Sequence, residues 1–410
     1  PDSTDQNNGY DQTRADFDFD RGSNAAATRI DSNGVLQKYR ENLLLRSNQF
    51  DTTWSNVRSS ETSGQSGYDG TNNAWLLTTT GAGGRLDQSV SLSGVQSFSI
   101  YAKANTFDFL FLLGLGASDR RGNFDLANGV VTTTLNLIDS SIESIGNGWY
   151  RCSITYNDTI SGVRVYGLQA DNDFTGTSGS IYIQSAQVES GLVSTDYLNS
   201  TDVTAKSGVL VDLPRINYDA NGNNGALLLE PSRQQLVQFS EYFGASYWDK
   251  INSSAVKDSS VSPDGSANSY LATISSGGFL RFGSSVTAGA NYTLTCYVKK
   301  PLTGGATHIR LTSNNTSAWG TGISSKTELT NLWQRVILSG VYISSGTTSY
   351  TIIGSKDENN ANDSDCLGDV LIFGAMLEAG SYPTSYIPNH GTSGGVTRAA
   401  DSCSVTGASD

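Results

Sequence analysis

The chain's 410 residues exceed one ordinary domain and suit two or three. An aromatic content of 10% beside only 16% charge excludes intrinsic disorder, because such a chain has enough apolar area to bury against its conformational entropy. The excess of 39 acidic over 26 basic side chains, a formal net charge of −13, argues against nucleic acid or an anionic membrane as partner, and no apolar run approaches the roughly 18 to 20 residues that span a bilayer.

In chain order, residues 1–40 read as an N-terminal connector, with Ile30-Asp31-Ser32-Asn33-Gly34-Val35-Leu36 near its end. No signal peptide is visible, and a start at Pro1 leaves room for a segment upstream. Residues 41–200 form a first module. Residues 201–234 form a middle connector, in which Tyr218-Asp219-Ala220-Asn221-Gly222 loosely repeats the words of 30–36. Residues 235–390 form a second module, and 391–410 a C-terminal connector rich in Gly, Ser and Thr.

The modules are copies of one another. Leu43 through Phe50 and Trp54 recurs as Leu236 through Phe243 and Trp248; Asp69-Gly70 with Asn73 and Trp75 as Asp264-Gly265 with Asn268 and Tyr270. Phe98–Lys103 recurs as Leu294–Lys299, Trp149-Tyr150-Arg151 as Trp333-Gln334-Arg335, and Glu189, Thr195 and Tyr197 as Glu378, Thr384 and Tyr386. Order is kept and the offset stays between 184 and 196 residues, so duplication is the reading. Period-2 alternation over residues 97–103, 180–183, 292–298 and 335–338 predicts strands with one face on a core. Turns are expected at Gly81–Gly84, Ser276–Gly278 and Ser344–Gly346, and short helical turns near Gln49–Trp54 and Glu241–Trp248. About 160 residues hold roughly eight to ten strands, so the expected fold is all-β: two tandem jelly-roll β-sandwich modules joined by an extended connector.

Trp149 and Arg151, like Trp333 and Arg335, are two apart on a strand and share a face. Because they and Trp54 and Trp248 are duplicated, they read as scaffold, with the guanidinium stacked on indole or paired with a carboxylate. Asp69 and Asp264 fit tight turns, and are also calcium candidates, since hard cations want clustered oxygens. No cofactor is required. A sugar site needs aromatic faces beside amides and carboxylates, and the candidates are Trp319, Tyr68 and Trp75, each weighed against plain packing. Cys152 and Cys296 read as buried free thiols, while Cys366 and Cys403 are either free or joined. Only His308 and His390 are available for a nucleophile relay, and neither is duplicated. Asp363, Asp365 and Asp369 read as a solvated acidic loop rather than a hydrolytic pair, so no catalytic residue is expected.

The opening words Arg40-Glu41-Asn42-Leu43-Leu44-Leu45 with Ser47–Asp51 and Trp54, and Leu228-Leu229-Glu230-Pro231-Ser232-Arg233, resemble those of carbohydrate-binding-module-like domains in phage tail-fibre and head-fibre proteins. The closing words Glu378–Pro388 and Val396–Asp401 are similar to the ends of such modules; Val193–Tyr197 in the first copy departs by lacking both prolines. The resemblance runs from about residue 17 over nearly the whole chain. It implies a non-enzymatic fibre or decoration protein on a virion surface, partnered by other virion proteins, assembled as a homotrimer, and displaying modules for a host or environmental polysaccharide. The alternatives are a purely structural virion protein, or a bacterial surface adhesin or the binding part of a secreted polysaccharide-active protein. No nucleic acid and no membrane insertion are expected.

Overall fold

The computed structural model describes residues 16–22, 26–314, 322–342 and 348–406. The chain is all-β, and the described residues hold one helical turn, the 3-10 helix Ser364–Cys366. It divides into two compact units, Arg40–Lys206 and a second made of Pro1–Tyr39 with Ser207–Asp410. The three expected connectors therefore belong, almost entirely, to the same body as residues 235–390.

In the Arg40–Lys206 unit an antiparallel sheet runs in the order Val130–Leu135, Asp119–Asp125, Phe109–Leu115, Trp149–Leu168, Arg85–Ala104, Gly179–Ser190, Ala74–Thr79, Ser59–Gln65. Asp139–Gly146 adds to Trp149–Leu168, and Ser55–Val57 to Arg85–Ala104. The two longest strands serve both layers of the sandwich. The first half of Trp149–Leu168 pairs with 92–103; after a register shift between Ile160 and Gly162 its second half pairs with 85–89 and with Phe109–Leu115. Phe98, Ile100, Cys152 and Ile154 from one half meet Leu110, Leu112, Val163 and Val165 from the other in a single core. The alternation read at 97–103 and 180–183 thus lies on strands, with Phe98, Ile100, Ile181 and Ile183 inward.

The second unit carries a sheet in the order Ile323–Glu328, His308–Asn314, Thr348–Gly354, Tyr270–Ser285, Gly368–Ala379, Asn291–Lys299, Gln334–Tyr342, with Asp249–Lys257 on Tyr270–Ser285. Short ribbons complete it: Thr28–Ile30 with Leu36–Lys38, Ile216–Asn217 with Ala226–Leu227, Arg233–Gln235 with Val396–Arg398, and Asp16–Asp20 with Ser402–Thr406. Asp31 and Asp219 close the first two, each accepting two backbone N–H groups across its turn. Three buried arginines bind these segments together. Arg215 and Arg398 each lie 2.9 Å from Glu230, Arg21 lies 3.4 Å from Asp401, and Arg215 also pairs with Asp401. Buried charge demands such pairing, which is why the N-terminal, middle and C-terminal connectors fold as one body.

Several expectations change. Ser276-Gly277-Gly278 is not a turn between strands but lies within Tyr270–Ser285, where the partner register slips between Ile251 and Ser253 and Gly277 takes φ +72°. Ser344–Gly346 lies outside the described residues. The segments 49–54 and 241–248 form turns without helix. Cys152 and Cys296 are buried free thiols, and Cys366 and Cys403 are likewise unjoined.

Candidate functional site

The duplicated words form a clamp rather than a site. Arg151 stacks over the ring of Tyr101 at 5.6 Å and donates to the Thr195 carbonyl; Arg335 stacks over Tyr297 at 5.6 Å and donates to the Thr384 carbonyl at 2.6 Å. The guanidinium thus takes a tyrosine on the neighbouring strand, not the indole two residues away. Glu189 accepts from the Thr195 N–H (2.8 Å) and hydroxyl (2.6 Å), and Glu378 from Thr384 at 2.7 and 2.6 Å. Trp54 and Trp248 donate their indole N–H to the Arg46 and Phe239 carbonyls. Trp149 is buried, whereas Trp333 is half-buried and donates to the Val261 carbonyl at 2.8 Å.

The aromatics nominated for sugar binding fare differently. Trp319 lies outside the described residues. Trp75 is a core residue, edge-on to Phe50 at 6.1 Å, with its N–H on the Asn48 carbonyl at 3.0 Å, so it offers no open face. Tyr68 stacks on Tyr101 at 3.9 Å and 10°, and burial pushes its hydroxyl up to about 12. The packing alternative describes both.

The calcium candidates are engaged by donors. Asp69 accepts from the Thr71 N–H and hydroxyl, Asn73 and Gln184 at 2.8–3.2 Å, which hold its carboxyl below the usual range despite burial. Asp264 meets the Lys38 ammonium at 2.5 Å; burial opposes its ionisation, yet Lys38, Asn268 and Ser262 hold it ionised. A lysine ammonium already neutralises this carboxylate, and among the described residues no three His, Cys, Asp or Glu side chains gather to hold a metal.

The carboxylates of the acidic loop are also matched. Asp363 lies 2.9 Å from both Arg310 and Lys326, Asp365 lies 2.7 Å from Lys326, and Asp369 accepts from Thr273. His390 is half-buried, and desolvation lowers its pKa, while His308 Nδ1 meets the Thr307 hydroxyl at 3.0 Å.

A pocket opens in a region that sequence reasoning did not nominate. That region is the outward face of the Arg40–Lys206 sheet, opposite the core. Along Trp149–Leu168, Val163 and Val165 point into the core, so Gly162, Arg164, Tyr166 and Leu168 point away from it. Register then sets rows across the strands. Ser89, Gly162 and Leu115 form one, and Asp87, Arg164, Leu113 and Arg121 the next. Arg85, Tyr166, Phe111 and Asn123 form the third, about 13 Å from the first at 3.3 Å per residue.

At the first row the face opens into a cavity of about 290 Å3 lined by Leu45, Thr53, Ser55, Asp87, Gln88, Ser89, Leu115, Ser161 and Gly162. The register shift beside Ser161 makes it. A Cβ on Gly162 would sit 2.8 Å from the Gln88 carbonyl oxygen, so only glycine lets the strands approach there. Gln88 fixes one wall by exchanging two 2.9 Å hydrogen bonds with the backbone of Leu45. Asp87 is held in place by Arg85 at 2.9 Å and Arg164 at 3.3 Å. Gly162, one of two glycines inside the strand Trp149–Leu168, was the signal available in the sequence. Chemically the cavity offers four hydroxyls and an oriented carboxylate over two leucines, a lining for a ligand dense in hydroxyl groups and free of net charge.

No family model and no curated protein matches the chain. Among solved structures, the tandem CBM22-1–CBM22-2 domain of Paenibacillus barcinonensis Xyn10C matches 88% of this chain and 99% of its own at 11% identity, with a TM-score of 0.27. TmCBM61, solved with β-1,4-galactotriose, covers 35% of this chain and 97% of its own at 14% identity and a TM-score of 0.24. The enzymatically active domain of bacteriophage CBA120 tailspike protein 4 covers 35% of this chain and 20% of its own at 12% identity and a TM-score of 0.25. Likeness this faint assigns neither a ligand nor an activity to this chain.

Proposed function

We propose that this chain is a non-enzymatic surface protein whose Arg40–Lys206 unit binds a glycan on its outward sheet face. The hydroxyl-lined cavity beside Asp87 carries the reading. Sugar hydroxyls each donate and accept, and Thr53, Ser55, Ser89, Ser161 and Asp87 supply both roles, while Leu45 and Leu115 form an apolar floor for a ring face. The absence of catalysis is supported by the acidic loop, whose Asp363 and Asp365 are paired with Arg310 and Lys326 rather than poised as an acid and a base. Placement on a virion, among other virion proteins, is supported by the opening and closing words resembling phage fibre modules. A purely structural role gains from one observation: Tyr68 and Trp75 are consumed by packing.

The test is a glycan array of neutral and acidic polysaccharides, probed with the full chain and with Asp87→Ala and Ser89→Tyr. Binding by the wild type, lost or weakened at least about tenfold in both variants, is expected, since a bulky ring at Ser89 fills the cavity and a lost carboxylate removes a charge-assisted hydrogen bond of about 1.5–3 kcal/mol. Silence of the wild type across the array would leave the structural role.

A further inference from the structure

The third row of the same face holds a group the cavity does not use. Asn123 is fully buried, and neither its Nδ2 nor its Oδ1 has a hydrogen-bond partner among the described residues. It lies opposite Phe111, which lies opposite Tyr166, which lies opposite Arg85. The row thus offers an amide, two rings and a guanidinium, the last 5.7 Å over the Tyr166 ring. Phe174 covers the two rings, edge-on to Phe111 at 5.0 Å and 84° and to Tyr166 at 5.3 Å and 78°. Phe174 belongs to the segment 169–178, which joins the strands Trp149–Leu168 and Gly179–Ser190 without strand pairing of its own. Its ties are few: Gly83 N–H to the Phe174 carbonyl at 2.9 Å, and the Thr132 and Thr133 hydroxyls to Asp171 at 2.9 and 2.7 Å. Asp173 is turned inward on its own loop, accepting from Thr175.

We propose that the slot under Phe174 is a sugar-ring subsite which the segment 169–178 fills in the free protein, so that the face holds an oligosaccharide across this slot and the hydroxyl-lined cavity. The inference rests on the glycan reading of that face and deepens it. An amide left unpaired in a buried site costs about 1–3 kcal/mol per group, so the slot is not built for Phe174 alone. Two adjacent hydroxyls of a pyranose match the donor and the acceptor of Asn123, and the ring's C–H groups pack on Phe111 or Tyr166 in the place of Phe174. Because closure occupies the slot, it reduces apparent affinity by the fraction of molecules that are open.

The test uses the full chain and calorimetric titration with cello-, galacto- and manno-oligosaccharides of one to six units, and with fragments of the array's strongest polysaccharide. Phe174→Ala is expected to lower Kd about tenfold for chains long enough to span both places and not for single sugars. Asp171→Ala, which frees the segment without touching the slot, is expected to act in the same direction. Asn123→Leu in the Phe174→Ala background should abolish the gain and raise Tm, because it removes an unpaired amide. Wild-type binding with no gain in Phe174→Ala or Asp171→Ala overturns the subsite and leaves the glycan reading standing. A fall in Tm on Asn123→Leu with binding unchanged overturns it too, because the amide is then structural. If neither the wild type nor Phe174→Ala binds any oligosaccharide, both fall.

Discussion

The two copies of the module contain the same niche and close it by different means. In the Arg40–Lys206 unit, Tyr101, Trp149 and Tyr197 are covered by that unit's own Tyr68, while Gln184 donates to Asp69 at 3.1 Å and to Asn73 at 2.5 Å. In the second unit Tyr297, Trp333 and Tyr386 are covered by Ala26, Ile30 and Leu36 of the N-terminal connector. Pro263 stands where Tyr68 stands, and its carbonyl accepts the Leu36 N–H at 2.8 Å. Phe373 replaces Gln184, and Glu241 replaces Asn48. The added carboxylate has a purpose: Lys38 enters between Glu241 at 3.1 Å and Asp264 at 2.5 Å. A duplicated scaffold has thus diverged at three positions, from a niche sealed by its own residues to one sealed by a segment 203 residues away in sequence.

The sharpest way to break that contrast is Lys38→Ala. It strands two buried carboxylates, a loss of about 3–5 kcal/mol for the second unit, because an unpaired buried charge costs more than the pair contributed. Amide hydrogen exchange, reading both units at once, should show 207–406 losing protection while 40–206 keeps it; equal loss in both would mean that the closures are not independent. Tyr68→Ala attacks the other niche. Losing a stacked, half-buried ring should cost the Arg40–Lys206 unit about 2 kcal/mol and leave the second unit unchanged. Where the copies agree, the effects should agree: Glu189→Gln and Glu378→Gln each leave a threonine clamp half-satisfied, and urea denaturation followed by hydrogen exchange should show losses of about 1–2 kcal/mol that match between units.

The clamp was legible in the sequence because it is repeated. Trp149 with Arg151, and Trp333 with Arg335, announced a scaffold by recurring in order, and residues 97–103 of the strand Arg85–Ala104 announced themselves by alternation. The closures were not legible. Nothing near Lys38 indicates Glu241, and Tyr68 beside Asp69 looks as much like an exposed platform as a packed ring. The outward face was hidden for a related reason. Period-2 reasoning separates two faces of a strand, but Phe111, Leu113, Tyr166 and Leu168 make the outer face as apolar as the inner one. Between Gly162 and Leu168 the two faces of the strand therefore show little contrast in the sequence.

The smallest effect expected concerns acid. Burial, the largest influence on Asp264, works against its charge, and Lys38 with Asn268 and Ser262 only outweighs it, so the net lowering is a remainder. A carboxyl whose folded pKa lies below its unfolded value contributes stability that is present above about pH 3.9 and is lost as pH falls through the folded pKa. Lys38, raised by Asp264 and Glu241 against burial, behaves oppositely, its contribution being full below about pH 10.4 and lost only in stronger alkali. Below about pH 4 the N-terminal connector should therefore loosen first. Hydrogen exchange at residues 28–38 should rise before that at 40–206, where Asp69 is also held below the usual range but seals nothing from outside its own unit. Simultaneous loss in both units would show that the ion pair is not what fastens the N-terminal connector. In Asp264→Asn the early rise should disappear, because the titrating group is gone.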